Sequence, residues 1–324
     1  MRFIIVAQDH VVHITCVALS FRLTQISSSL DKYNIIFLPL LELFLPQSIS
    51  LIINFPSIYN GIKKGTDKMC LINFQLHDHA NYKLVIAANR DEFYERPTAQ
   101  AQFWEDKPTI MAGRDLMFLG TWLGITKSGR FAALTNYRDP TMEGQMKNSR
   151  GEIVTNYLTS NQTPEVFLKT LSADRNNYAG FNVIVGDSDQ LFYYNNIQDD
   201  ISLISSGTHA LSNHFLDTPW PKVVKGRRWL EEYLQQNRDV NTDKLFEIVS
   251  NAEMANDKYL PDTGVGVELE RKLSPLFIRT PDYGTRSSTV LLVDKNNQVT
   301  FVERTYNKGI FQKENHYDFE LTKD

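Results

Sequence analysis

From Cys70 onward, short apolar runs bounded by turn residues read as strands and helices, whereas up to Lys68 the chain reads poorly as a fold. CLINFQL (Cys70–Leu76) has strand composition, HDHANY follows as a turn, and KLVIAA (Lys83–Ala88) predicts a second strand paired with the first as a hairpin. NRDEFYERP is expected to leave that second strand, with Pro97 barring a regular continuation. GTWLGI (Gly120–Ile125) and RFAALTN (Arg130–Asn136) predict another hairpin around Lys127-Ser128-Gly129, where Gly129 supplies the positive φ such turns need. Ser149–Ser160 is expected to be helical, with Ser149 as N-cap and Glu152 completing a capping box. Thr163–Arg175 predicts a second helix, capped by Thr163, with Pro164 at its first position and Val166, Phe167, Leu168 and Leu171 on or near one face.

Strands are expected again at Phe181–Gly186, Leu191–Tyr194 and Ile201–Ser205, and helices at Pro219–Leu234 and Thr242–Asn251. SSTVLLV (Ser287–Val293) and Val299–Glu303 close the pattern as a hairpin around Asp294–Gln298. Alternating blocks of strands and helices predict an α+β layered domain, with antiparallel sheets covered by helices. Without an internal repeat, low-complexity tract or interdomain linker, residues 69–324 read as one domain.

Composition narrows the class. Of 324 residues, 42% are hydrophobic and 22% charged, as in a soluble globular protein. The net charge is -4, and the densest basic pairs, Lys63-Lys64 and Arg227-Arg228, read as solvated surface, so nucleic acid is not an expected partner. Two cysteines, Cys16 and Cys70, make no disulfide framework, and a cytoplasmic location is the default.

Residues 1–68 stand apart. The apolar stretch NIIFLPLLELFLPQSISLIINF (Asn34–Phe55) is a poor membrane span, because Pro39, Glu42, Pro46 and Gln47 interrupt it, and no stable membrane insertion is expected. It is also a poor secretory signal, since it starts late and no small-x-small cleavage site follows. Lys63-Lys64-Gly65 translates a purine-rich codon run three codons upstream of Met69, which is how a bacterial ribosome-binding site would read if translated. The expectation is that residues 1–68 are upstream sequence attached by a wrong start, with a propeptide as the alternative.

If Met69 initiates and is removed, Cys70 carries a thiol and a free α-amine. An α-amine of pKa about 7.7–8 is partly unprotonated at neutral pH and can take the thiol proton, so that the thiolate attacks a carbonyl. The plainer reading of Cys70 is a small apolar residue opening a strand. Asn89-Arg90-Asp91-Glu92 ends the paired strand, which brings these residues back beside Cys70. An Arg near sulfur favours the thiolate, and an Asp near an α-amine orients it. A solvated charge cluster at a strand end is the alternative.

Here the sequence resembles the NRDE family, also called the transport and Golgi organisation 2-like family. The resemblance runs through AANRDEFYERPT, GTWLGITKSGRFAALTNYRDP, SRGEIV, YAGFNVIVGD, LSNHFLDTPWPKV and TRSSTVLLV, from Met69 to about Glu303. It implies an N-terminal-nucleophile (Ntn) hydrolase-like fold, a four-layer αββα sandwich. It also implies a likeness to the choloylglycine hydrolase and penicillin V acylase group, amidases with an N-terminal Cys. On the matching positions, Cys70 would be the nucleophile with Arg90 and Asp91 beside it, Asn213 the oxyanion asparagine, and Arg286 the late arginine near the nucleophile. Asn136 is a second oxyanion candidate, and a side-chain amide is a suitable donor there. The acylases usually separate their Arg and Asp by two residues, whereas Arg90 and Asp91 are adjacent, so Glu92 is an alternative acid; Asn89 completes the motif.

No cofactor is required by this chemistry. For a family thought to handle haem, His209 and His214 are candidate axial ligands. His77-Asp78-His79 sits in a predicted turn with alternating directions, which argues against a metal site. Two functions are therefore carried forward. One is a hydrolase that acylates Cys70 from a small-molecule amide or thioester and releases the acyl group to water. The other is a non-catalytic haem or lipid/acyl-CoA carrier on the same fold.

Overall fold

A computed structural model of the chain describes residues 2–7, 10–15, 70–138 and 147–322. Cys16, the apolar stretch 34–55 and the junction 63–69 lie outside the described residues. The chain divides into two units, Met1–Ile58 and Tyr59–Asp324. In the first, β1 (Arg2–Ala7) and β2 (His10–Thr15) pair as an antiparallel hairpin.

The second unit opens with β3 (Cys70–Leu76), β4 (Tyr82–Phe93), β5 (Thr98–Phe103), β6 (Ile110–Asp115), β7 (Leu123–Thr126) and β8 (Phe131–Asn136). Helices α1 (Gly151–Thr159) and α2 (Pro164–Ala173) follow, then β9 (Phe181–Gly186), β10 (Leu191–Asn195), β11 (Asp200–Leu203) and β12 (Gly207–Leu211). Next come α3 (Pro221–Gln236), α4 (Thr242–Val249) and α5 (Val267–Leu273). The strands β13 (Tyr283–Asp294), β14 (Gln298–Asn307) and β15 (Ile310–Glu320) complete the unit. All strand pairs are antiparallel, in a seven-stranded sheet ordered β11-β10-β9-β8-β7-β6-β5 and a six-stranded sheet ordered β12-β3-β4-β13-β14-β15.

Strand alternation decides which side chains meet between the sheets. Ile72, Phe74 and Leu76 of β3 and Leu84, Ile86 and Ala88 of β4 face Met111, Ile125, Phe131, Ala133 and Ile184 of the other sheet. On the opposite face of the six-stranded sheet, Val85, Ala87, Val290 and Leu292 pack on Leu230 and Leu234 of α3 and Leu245, Phe246 and Val249 of α4. The seven-stranded sheet turns Ala132, Leu134, Val183 and Val185 toward Ile153, Tyr157 and Leu158 of α1 and Phe167 and Leu168 of α2. Each fully buried Leu, Ile or Phe contributes about 1.5–3 kcal/mol, so three apolar seams hold four layers together. The result is the expected αββα sandwich. Gly226 lets α3 lie close on β3, because a Cβ there would stand 2.3 Å from Asn73 Oδ1. Among the described residues no helix is long and apolar enough to cross a membrane.

Several local expectations change. Asn89-Arg90-Asp91-Glu92 does not leave the strand: β4 continues through Phe93, paired with β3 as far as Arg90 and with β13 throughout. The Ser149 capping box does not form; Arg150 occupies the N-cap without a side-chain bond, and Glu152 accepts from the Tyr178 hydroxyl at 2.8 Å. Thr163 does cap α2, accepting from the Val166 amide, although the Val166 side chain is exposed. Gly129 adopts φ 88° in the β7–β8 turn as expected. The strands β1, β2, β5, β6, β12 and β15 and the helix α5 are not expected from the sequence pattern.

Candidate active site

The site is built where β3 begins. Cys70 is its first residue and pairs in register with Arg90 of β4, which pairs in turn with Ser287 of β13. Period-two alternation puts Arg90 and Glu92 on the Cys70 face, in line with Ala88 and Ile86, and turns Asn89 and Asp91 toward the helices. The four motif residues therefore serve two faces of one strand.

On the first face, Cys70, Arg90 and Glu92 line a cleft of about 290 Å³ together with Arg96, Trp122, Leu134, Asn136, Ser287 and Glu303, and Asp91 also borders it although alternation turns its carboxylate toward the helices. Arg90 reaches Thr98 Oγ1 at 3.3 Å and Glu92 at 3.7 Å. Glu92 also lies 3.4 Å from Arg96, which bonds Asp115 through both Nε and Nη2. On the second face, Asn89 is fully buried and satisfied. Its amide donates to the Val249 and Leu276 carbonyls, and its Oδ1 accepts from Ser288. That makes Asn89 a clamp joining β4 to the end of α4, not a group in the cleft. Asp91 accepts from Thr285 Oγ1 at 2.6 Å, while its Oδ2 is buried with no hydrogen-bond partner.

Residues 69–308 match the sequence profile of the family described as Transport and Golgi organisation 2. The chain belongs to this family. A transport and Golgi organization protein 2 homolog from Bos taurus is 37% identical, covering 73% of this chain and 93% of its own length. The Homo sapiens homolog is 36% identical over the same share of each chain. Among solved structures, a mutant conjugated bile acid hydrolase from Clostridium perfringens has a TM-score of 0.44 at 10% identity, covering 77% of this chain and 92% of that one. A Caenorhabditis elegans ortholog of N-acylethanolamine-hydrolyzing acid amidase has a TM-score of 0.33 at 9% identity, covering 69% and 92%. The layer order rests on the sheets and helices above, not on these two likenesses.

The charge around Cys70 of this family member is mixed. With Cys70 in amide linkage, burial pushes its thiol up to about 12, and Asp91 adds to the rise; the Asp91 backbone N–H and the Arg90 guanidinium oppose it but do not prevail. Arg90 is thus placed as expected, but burial outweighs its effect on the sulfur.

The remaining sequence-stated residues divide. Asn136 lines the cleft. Asn213 is fully buried; its Nδ2 donates to the Asn136 carbonyl at 2.9 Å, and its Oδ1 accepts from Ser212, whose hydroxyl also reaches the Cys70 carbonyl at 3.0 Å. Asn213 therefore braces the start of β3 and the end of β8. Arg286 sits at the bulge between Thr285 and Ser287, and its Nη1 donates to the Phe93 and Arg96 carbonyls, holding the cleft wall from outside the lining. His209 spans Asp217 (2.7 Å) and the Ser205 carbonyl (3.0 Å), and His214 spans Thr218 and Tyr137. Neither histidine lines the cleft.

Two residues that the sequence reading passed over belong to the site. Glu303 of β14 follows Val299 and Phe301 on the inter-sheet face and ends in the cleft, accepting from the Ala101 amide at 2.7 Å. Burial pushes its carboxyl up to about 7, against the pull of Ala101, Arg90 and Ser287. Lys222 lies behind the strands, fully buried, with its ammonium lacking a hydrogen-bond partner. The signal for both was a charge at an apolar-stripe position: Lys222 shares the i, i+4 row with Gly226, Leu230 and Leu234.

Proposed function

We propose that this protein is an N-terminal-cysteine hydrolase of linear amides or thioesters, with a mature form that begins at Cys70. The observation that carries the reading is the position of Cys70. It is the first residue of β3, on the cleft wall, with Arg90 as its register partner and the partnerless Asp91 Oδ2 on the reverse side.

In this reading the α-amine of Cys70 takes the thiol proton, and Sγ attacks the acyl carbon. Asp91 Oδ2 receives the α-ammonium, and the Arg90 charge faces the thiolate. The Asn136 amide, braced by Asn213, donates to the oxyanion. The C–N or C–S bond of the substrate breaks, and the leaving amine or thiol takes the proton back from the α-ammonium. Water, giving a proton to the same amine, then attacks the thioester; the acid leaves and the thiol is restored. Glu92 steadies Arg90 and Arg96 in this scheme without touching the reacting atoms.

The test is Cys70→Ala assayed beside the native protein on a panel of acyl amides and thioesters, with haem binding measured in parallel. Turnover by the native protein and its loss in Cys70→Ala is expected. Unchanged turnover overturns the reading, and absence of turnover throughout with haem retained favours the carrier.

A further inference from the structure

At the end of the inter-sheet core, one step beyond the row Ala133, Ile184 and Tyr193, the seven-stranded sheet carries a polar rung. Thr135 of β8 pairs in register with Asn182 of β9, and Asn182 with Asn195 of β10. All three are fully buried, where apolar side chains would continue the core without desolvating a polar group. Their hydrogen bonds run in one direction. The Asn195 amide and the Tyr193 hydroxyl donate to Asn182 Oδ1 at 2.6 and 2.7 Å, and Asn182 Nδ2 donates to Thr135 Oγ1 at 3.0 Å. Thr135 Oγ1 in turn donates to the Ser212 carbonyl. Tyr193 holds the same loop at a second point, accepting from the Leu216 amide at 3.3 Å.

The far end of this relay is the first residue of β3. β12 pairs with β3 only as far as Ile72, so Cys70 has Arg90 of β4 on one side and no paired strand on the other. On that open side the Ser212 hydroxyl donates to the Cys70 carbonyl at 3.0 Å. The first residues of a chain fray unless they are tied down, and a protein beginning at Cys70 has no preceding peptide to hold it. Because Thr135 and Tyr193 hold the Ser212 loop, the place of Cys70 is set from the facing sheet as well as from its own.

We propose that Thr135 and Asn182 are positioning residues for Cys70: through Ser212 they fix the first residue of β3, and with it the thiol and the α-amine, against the cleft wall. Neither touches the reacting atoms. Asn195 and Tyr193 fill both acceptor sites of Asn182 Oδ1, which leaves its Nδ2 aimed at Thr135 and the Thr135 proton aimed at the loop. Cutting the relay at Thr135 therefore releases Cys70 locally. A network serving stability alone would change Cys70 no more than any other defect of similar size.

The inference rests on the hydrolase reading, in which Cys70 must be held in place, but its test needs no turnover. Alkylation of Cys70 by iodoacetamide is followed at about pH 8 in the natively produced protein, read by peptide mass so that Cys16 is not counted. Thr135→Val keeps the shape and removes the hydroxyl. The released Cys70 is less buried, so it is expected to react at least about fivefold faster, the equivalent of one lost hydrogen bond. Thr135→Ser, which keeps the hydroxyl, is expected to react at the native rate. Thr163→Ala removes the cap of α2 on the helix side of the same sheet and is expected to leave the rate unchanged. If Thr135→Val does not fold, Ser212→Ala, which removes the last bond of the relay, must still accelerate alkylation. A rate within about twofold of native in the variant that folds overturns the inference. So does an equal acceleration in Thr163→Ala or in Thr135→Ser. Those results leave the hydrolase reading standing, which is lost separately if Cys70→Ala keeps its turnover.

Discussion

Cys70 and Arg90 are register partners across β3 and β4, yet Asp91, one residue further on, faces the opposite side of the same sheet. Adjacent Arg and Asp therefore flank the start of β3 from two sides: the guanidinium along the cleft, the carboxylate from behind. In a strand, adjacency in sequence requires this separation.

The thiol is predicted to depend on what precedes it. In amide linkage Cys70 is pushed up to about 12 by burial and by Asp91, so little thiolate exists at pH 8. A free α-ammonium on the same residue adds a positive charge beside the sulfur. Protein beginning at Cys70 should be alkylated at pH 8 at least about tenfold faster than protein with residue 69 attached. Equal rates would remove the amine from the mechanism.

Asn89 is predicted to act on stability. Asn89→Ala strips three buried hydrogen bonds and leaves the Val249 and Leu276 carbonyls without their donor. Urea unfolding should show a loss of about 2–4 kcal/mol. A loss below about 0.5 kcal/mol would mean the clamp is not what holds α4 to β4.

Glu303 is predicted to make stability depend on pH. Its folded carboxyl is raised from 4.5 to about 7, so between those values the folded state binds more protons than the unfolded one. Its contribution is full below about pH 4.5, declines as pH rises toward 7, and is lost above that by an amount on the order of a few kcal/mol. Glu303→Gln, which keeps an acceptor for the Ala101 amide, should match the native protein near pH 5 and exceed it at pH 8. Parallel stability profiles would contradict the assignment.

Gly226 is predicted to be required by the approach of α3 to β3. Gly226→Ala places a methyl 2.3 Å from Asn73 Oδ1 and should cost about 1–3 kcal/mol in urea unfolding. Adding Asn73→Ala should recover part of that loss, because it removes the atoms in the way; strict additivity would show that the two residues do not compete for the space.

The sequence made the middle of each sheet legible and the rims obscure. Strands β3, β4, β8, β9 and β13 are buried on both faces, so their runs are apolar throughout or nearly so. The strands β5, β12 and β15 are sheet edges, and TAQAQF and IFQKENHYDFE carry the polar residues that an exposed edge tolerates. The motif was legible as chemistry but misplaced as structure. Four polar residues in a row suggest a strand end, and here they stay inside the sheet because Val249, Leu276 and Ser288 satisfy Asn89, Thr285 donates to Asp91, and Arg90 and Glu92 meet Thr98, Arg96 and each other in the cleft. Lys222 and Glu303 were hidden for the reverse reason. Each is a single charge within an apolar period, where the pattern reads as core and only the surroundings reveal a titrating group.

The most direct measurement is the mass of the N-terminal peptide of the natively produced, hydrolytically active protein. The account predicts a peptide beginning at Cys70 with an unmodified α-amine. An active protein in which residue 69 is still bonded to Cys70 would contradict it.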